Sequence, residues 1–537
     1  MRRAISIIMV VLLSATVLFA GGTEEKSPVS AEEKPVEQVY KEGWLSGGGI
    51  TPTFITTATH RLDITVNEPL VAITWKGGLQ PLIADSYEMQ ENGKTWILHI
   101  RDDAFWHDGT KVTSDDVIFS YNAYADPRVG SRWASKAASI KGYDEFRNGD
   151  ADSLAGVTAI DDSTVKVELS QEMPLWMKIE QTYLVIFPNH ILGDVEPEKL
   201  VSDEYWQHRI GTGPFKWAEY KQDQYIMLEK NEDYYLGEPK LDKLIYQMYS
   251  DASTHVSGLL SGQIDTTAYE TTIISPKDAV NLENNQDLDI FVMEKGSPSF
   301  LTVNHEKEWA DVRLRQALRY AIDVETMLDA IYPGAKPATT LLPQTWTHPD
   351  DLNDYAYNPE KAKELIKAAG WSGRTVDFVY HYQDEQSRNL IVAIQQYLDK
   401  VGIHIEPRKM DPAGLNALYL SGDFDMGLLG QGMGLDPAGG EIVVKSGEIR
   451  AHGYSNPEVD ELFQEGKALA EQSERAPIYQ KISKILNEEL PQIYLWYDIR
   501  HLGFSKDVAG PYDHYKEQKI IYFNMPVYNE IETWYVK

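Results

Sequence analysis

Between residues 358 and 489 the chain sets out helices by the residues that start and stop them and places a strand-like run among them. That order limits this half to folds in which helices pack on a sheet. Asn358 offers a helix cap, Pro359 occupies the first turn, Leu365 and Ile366 share a face, and Gly370 ends the segment. A second helix is predicted over Ala393 to Val401, stopped by Gly402, with Ile403-His404-Ile405 opening a strand. Two more helices are predicted over Pro457 to Gly466 and Ile478 to Glu489.

The N-terminal half begins with antiparallel sheet. Trp96, Leu98 and Ile100 alternate with Ile97, His99 and Arg101, and Asn92-Gly93 just before them is a hairpin turn signal. Thr113 and Asp116 have capping-box spacing, so a helix should start near Ser114. No repeat of 20 to 50 residues appears, which disfavours solenoids and propellers. At roughly 100 to 200 residues per domain, the 537 residues make two or three domains.

Charge and composition then remove whole classes of function. Acidic residues outnumber basic ones by 82 to 50, for a formal charge of −32, so the field repels nucleic acid and anionic bilayers. The absence of cysteine excludes disulfides, thiol nucleophiles, iron–sulfur clusters and the usual structural zinc sites. HExxH, a Walker loop, GxSxG and kinase signatures are missing. Gly430-Gln431-Gly432-Met433-Gly434 follows a predicted strand, Met426 to Leu429, but lacks dinucleotide-loop spacing and runs into Asp436-Pro437. The thirteen histidines include no metal-site pair backed by a glutamate, and His107-Asp108 reads as a turn before Gly109. No metal and no cofactor is expected. The pairs Asp102-Asp103 and Asp115-Asp116 read as capping and solvation, with an exported glycosidase as the remote alternative.

Arg2 and Arg3 precede an apolar run from Ala4 to Ala20, the order of a secretory signal. A helix from Ala4 to Gly22 would reach about 28 Å, so residues 1–22 are a signal peptide or an uncleaved anchor. Leu18-Phe19-Ala20-Gly21 resembles a lipoprotein box with Gly21 where the lipidated cysteine would stand. Residues 23–38, rich in Glu, Lys, Pro and Ser, read as a disordered spacer. The expected location is periplasmic or extracytoplasmic, with a tether to the membrane if the signal is kept.

Thirteen tryptophans and 31 tyrosines exceed what loops need, so most belong to cores, and Trp96, Trp106, Trp217 and Trp371 sit beside strand or cap signals. Trp44, Trp133 and Trp496 sit beside loop or strand-end signals, where each either lines a cleft or packs.

The block PLIADSYEMQENGKTWILHIRDDAFWHDGTKVTSDDVIFS, Pro81 to Ser120, resembles the opening of the family 5 extracellular solute-binding proteins, the oligopeptide, dipeptide and nickel receptors of ABC importers. Further blocks continue the resemblance in order to about Gly510: Gly211 to Trp217, Glu229 to Tyr235, Asp251 to Thr254, Leu260 to Asp265, Asp311 to Asp323, Tyr357 to Ala362, Gly422 to Asp425 and Tyr454 to Asp460. The resemblance implies an α/β, type II periplasmic-binding-protein fold with two hinged lobes and an extra subdomain. It assigns lobe I to 39–75, 207–293 and 500–537, the subdomain to 76–206 and lobe II to 294–499. It also implies a receptor without enzymatic activity, closing on its ligand and handing it to the transmembrane subunits of a permease. A monomer is expected.

Peptide-binding members hold the ligand's amine with an aspartate on the loop after the Gly422-Asp-Phe-Asp425 strand, and here that loop, Gly430 to Leu435, has no carboxylate. A buried ammonium without a counter-charge is costly. The loop therefore suits a neutral ligand, with Gln431 as hydrogen-bond partner. Trp133 and Tyr497 correspond in position to cleft aromatics of the family, and Gly432 and Met433 should face the same cleft. Asn304 either faces the cleft or satisfies backbone groups. An oligosaccharide is the favoured ligand by this reasoning and an oligopeptide or dipeptide the alternative.

Overall fold

The computed structural model describes residues 36–45, 52–54, 62–267, 274–382, 384–447, 451–510, 515, 517 and 530–537. The chain divides into Met1–Glu37 and Gln38–Lys537, and only the second unit is described below. The expected leader, nearly all of the expected spacer and Gly47 to Gly49 lie outside the described residues.

The first lobe opens with β1 (Val39–Leu45). A hairpin follows, β2 (Ala84–Gln90) and β3 (Thr95–Ile100), turning through Glu91, Asn92 and Gly93, which all take the positive φ that Asn-Gly favours. Trp96, Leu98 and Ile100 point inward on β3 as their alternation predicts. Helix α1 (Ser114–Ala125) starts where the capping box places it, with the Asp116 carboxylate accepting the Thr113 N–H at 2.8 Å. β4 (Val157–Asp161) and β5 (Thr164–Glu168) complete a four-stranded sheet in the order β2-β3-β5-β4, the heart of the extra subdomain.

His107 joins this subdomain to the first lobe. Its Nδ1 accepts the Gly211 N–H at 3.2 Å and its Nε2 lies 2.9 Å from the Gly213 carbonyl. Burial pulls the ring's pKa down to about 4, so the imidazole is neutral and carries its proton on Nε2.

Beyond it, β6 (Phe215–Lys221), β7 (Tyr225–Lys230) and β8 (Lys243–Tyr249) form an antiparallel meander, and β8 and β9 (Thr266–Thr267) flank β1 in parallel. The 16-residue β10 (Leu288–Val303) then passes into the second lobe. That lobe contains α2 (Val312–Ala321), α3 (Val324–Ile331), α4 (Pro359–Ala369), β11 (Thr375–Tyr380), α5 (Glu385–Asp399), β12 (His404–Lys409), β13 (Met426–Gly430), α6 (Pro457–Lys467) and α7 (Gln472–Glu489). The 14-residue β14 (Gln492–Ser505) returns to the first lobe. One ladder, β12-β11-β13-β10-β14-β9-β1-β8-β7-β6, runs through both lobes because β10 and β14 cross between them side by side.

Helix α4 obeys its punctuation: Asn358 accepts the Lys361 N–H, and Gly370 adopts the left-handed φ of +74° that ends the helix without a Cβ penalty. Two helices begin earlier than expected. α5 starts at Glu385 because Asp384 caps it, accepting the Ser387 N–H at 2.7 Å. α7 starts at Gln472 and tolerates Pro477 in its second turn, where the missing N–H removes one helical hydrogen bond.

The three largest of the buried apolar clusters are distributed over these elements. Tyr40, Phe215, Tyr246, Phe504 and Trp534 fill the first lobe. Leu301, Leu318, Phe378, Ile394 and Ile493 lie under the helices of the second. The third core runs from the subdomain, Trp96, Trp133 and Trp176, into Leu342, Met433 and Tyr497 of the second lobe.

Candidate functional site

β10 and β14 pair in step from Leu288 opposite Ser505 to Glu294 opposite Ile499, and resume at Pro298 opposite Tyr497. Lys295, Gly296 and Ser297 therefore bulge against a single residue, Asp498. On the second-lobe side of this crossing, the parallel strands β11 and β13 end at Tyr380 and Gly430, and α5 begins. The carboxyl ends of parallel strands, beside helix N-termini, are where open α/β sheets receive ligands.

A recess of about 60 Å³ lies there, lined by Ser299, Tyr332, Tyr382, Asp384, Trp496, Asp498 and Arg500, with Leu390 and Leu428 among its apolar walls. By the space one ordered water needs, it holds about four or five. Ser299 Oγ and Trp496 Nε1 both donate to Asp498 Oδ1 at 2.8 Å. The oxygen they leave unused, Oδ2, would lie 3.8 Å from a Cβ built on Gly430, which sets the end of β13 beside it. Asp384 is occupied by the α5 cap, accepting both the N–H and the hydroxyl of Ser387. Arg500 Nη1 donates to Tyr332 Oη at 3.0 Å and to the Ile499 carbonyl at 2.7 Å. Burial pushes the Tyr382 hydroxyl well above its ordinary value and the Tyr332 hydroxyl up to about 12, so both stay protonated.

The residues expected at a cleft separate widely. Trp496 lines the recess. Trp44 lies instead in the first-lobe core, 5.4 Å from the Tyr246 ring and edge-on to it. Trp133 donates its Nε1 proton to the Thr53 carbonyl and packs on Tyr183, buried in the subdomain core. Asn304 satisfies backbone: its amide donates to the Gly422 and Phe424 carbonyls and its oxygen accepts the Glu306 N–H. Tyr497 points away from the recess and donates to the Thr340 and Leu342 carbonyls. Met433 is buried in the core shared by subdomain and second lobe.

Gln431 and the half-buried Gly432 follow directly on β13, but the Gln431 amide folds back onto the Gly432 carbonyl at 2.8 Å. Asp436, the first acid after the loop, is held by both Arg475 nitrogens at 2.7 Å and caps the next turn. It is not available to a ligand. Asp498, Ser299 and Tyr382 were not singled out by the sequence, although Asp498 is the one charge between Ile493 and Ile499 of an otherwise apolar strand.

A larger cavity, about 270 Å³, separates the subdomain from α6 and the segment before it, and its walls are ionic: Lys136, Glu180, Glu441, Lys445 and Lys467. Glu180 accepts a hydrogen bond from Ser139, and Glu441 pairs with Lys467. Burial lowers the Lys136 pKa to about 8 and raises that of Glu180. Three of the four acids weighed for glycosidase chemistry have other partners: Asp103 pairs with Arg101, Asp102 with Lys111, and Asp116 serves the α1 cap. Among the described residues no group of three or more His, Asp or Glu is arranged to hold a metal, and no helix is long and apolar enough to cross a membrane.

The signature of the bacterial extracellular solute-binding proteins, family 5 Middle, matches residues 78–441. Oligopeptide-binding protein AppA of Bacillus subtilis is 25% identical over 568 aligned residues, covering 100% of this chain and 99% of that one. Heme-binding protein A of Haemophilus influenzae is 27% identical over 460 residues, covering 80% of this chain and 81% of that one. Among solved structures, the ABC transporter substrate-binding protein CtaP of Listeria monocytogenes matches with a TM-score of 0.76 at 25% identity, over 93% of this chain and 99% of that one. Family members are binding proteins of transporters and not enzymes. The match and the two lobes joined by crossing strands lead to one conclusion: the chain belongs to family 5 of the bacterial extracellular solute-binding proteins, has their type II periplasmic-binding-protein fold, and is a substrate-binding receptor of an ABC importer.

Proposed function

We propose that this receptor closes its two lobes on a short peptide and delivers it to the permease. The observation that carries this reading is the position of the tryptophans. An oligosaccharide receptor needs several ring faces open to the crevice, and of the three tryptophans expected there Trp44 and Trp133 are spent on internal packing, which leaves Trp496 alone beside the recess. The recess beside the crossing strands has carboxylates of Asp384 and Asp498 against one guanidinium, Arg500, a net negative charge unsuited to a neutral sugar and suited to an ammonium group. A relative matching over the whole chain and named for oligopeptides supports the same class.

Closure pivots in this reading on the paired crossing, where Met293 faces Arg500 and Glu294 faces Ile499. We take the boundary there, with lobe I at residues 39–75, 207–293 and 500–537, lobe II at 294–499 and the subdomain at 76–206. A ligand touching both lobes binds the closed form better and shifts the population toward it. The protein acts outside the cytoplasm, its leader serving export or anchorage.

Mass spectrometry of small molecules released by denaturing the purified receptor tests the ligand class. Short peptides are expected, and a released oligosaccharide with no peptide would contradict the reading.

A further inference from the structure

The loop after β13, Gly430 to Leu435, carries no acid, and Asp436 beyond it is neutralised by Arg475. A peptide's ammonium group buried in the crevice still needs a counter-charge. We propose that Asp498, on β14, supplies it: a carboxylate that reaches the end of β13 from the neighbouring crossing strand and substitutes for one on the loop. This rests on the peptide reading above.

Four features make Asp498 suited to the task. Its Oδ1 is fixed by two donors, Ser299 Oγ and Trp496 Nε1, both at 2.8 Å, which orients the carboxylate and leaves Oδ2 for a guest. It lines a recess together with Tyr332, Tyr382 and Asp384, whose hydroxyls and carboxylate add further hydrogen-bond partners for an ammonium group. Gly430 brings the foot of the acid-free loop beside Oδ2, 3.8 Å from where its Cβ would stand. Finally, Asp498 stands opposite the bulge at which β10 and β14 pass between lobes, so a cation bound to it sits at the pivot of closure.

The nearby Arg500 is the obvious objection. Its Nη1 is bound to the Tyr332 hydroxyl and the Ile499 carbonyl, and Asp384 and Asp498 together outweigh its charge. Ser299 and Trp496 are positioning residues in this scheme, acting on the ligand through Asp498.

The test uses the full-length receptor, a pool of synthetic alanine–glycine tetrapeptides, the same pool N-acetylated, and a set of α- and β-linked oligosaccharides. Thermal shift identifies binders, and titration calorimetry on the best tetrapeptide gives affinities. The wild type should be stabilised by the free-amine pool and not by the acetylated one. Asp498→Asn, whose Oδ1 can keep both bonds, should retain the unliganded melting temperature and lose about 10- to 100-fold in affinity, the range for a hydrogen bond to a charged partner. Ser299→Ala, which leaves the charge but loosens it, should lose less.

Equal shifts with both pools, or Asp498→Asn binding as the wild type does, would overturn the anchor and leave the peptide reading standing. A wild type that responds to an oligosaccharide and to neither peptide pool would overturn both. If Asp498→Asn melts early without ligand, Ser299→Ala decides: unchanged affinity and unchanged discrimination against the acetylated pool would reject the anchor.

Discussion

Glu68 shows what a single buried residue does to this protein's stability. It accepts hydrogen bonds from the hydroxyls of Tyr234 and Tyr235 at 2.7 Å and Thr212 at 3.0 Å, yet it is 1% exposed. Burial outweighs the three donors and raises its pKa from 4.5 to about 7. The folded protein therefore holds this proton at pH values where the unfolded chain has lost it. The contribution is fully present below about 4.5, falls as pH rises to about 7, and is gone above. Glu68→Gln should flatten that part of the stability curve, removing a slope worth about 3 kcal/mol at most, and urea unfolding from pH 4.5 to 8 reads it directly. An unchanged slope in the variant would place the titration elsewhere. Residue identity by itself told little about the site. Trp44, Trp133 and Trp496 have similar flanking turn signals, but Trp44 is covered by Tyr246, some 200 residues further on, while Trp496 is turned toward the recess by its bond to Asp498.

At the scale of elements, whatever depends on neighbours in sequence was readable in advance. The Thr113 and Asn358 caps, the Asn92-Gly93 turn, the Gly370 stop and strand β13 all lie where local chemistry puts them, within a residue. The beginnings of α5 and α7 were not, because an Asp cap ahead of a polar turn and a proline inside a helix give weak signals. The recess was illegible for a different reason: Ser299, Tyr332, Tyr382, Gly430 and Asp498 come from five segments assembled only when the strands pair. The ionic cavity between subdomain and second lobe is another product of such assembly. Glu180→Gln should leave the Lys136 ammonium without its largest favourable charge and cost about 2 kcal/mol. Adding Lys136→Met should restore most of that loss, since removing a buried pair together is far cheaper than removing half of it. A double variant no more stable than the single one would mean that the two charges are not coupled. Chemical denaturation of the three variants checks this.

The whole molecule is organised around two strands. β10 and β14 carry the ladder from lobe to lobe with a register shift at Lys295 to Ser297 opposite Asp498, and the recess lies beside that shift; in the proposed mode of action the lobes pivot there. Under that proposal binding and closure are one event, because a guest at the crossing stabilises the arrangement of lobes that surrounds it. A formal charge of −32 gives the receptor a negative field, which favours the cationic end of the proposed peptide guest at long range. The family relationship accounts for the architecture, while the ligand chemistry depends on side chains particular to this chain. Small-angle X-ray scattering of the receptor alone and with saturating tetrapeptide tests the central claim of closure on a guest. The account predicts a smaller radius of gyration with peptide than without, and superimposable profiles under demonstrated saturation would contradict it.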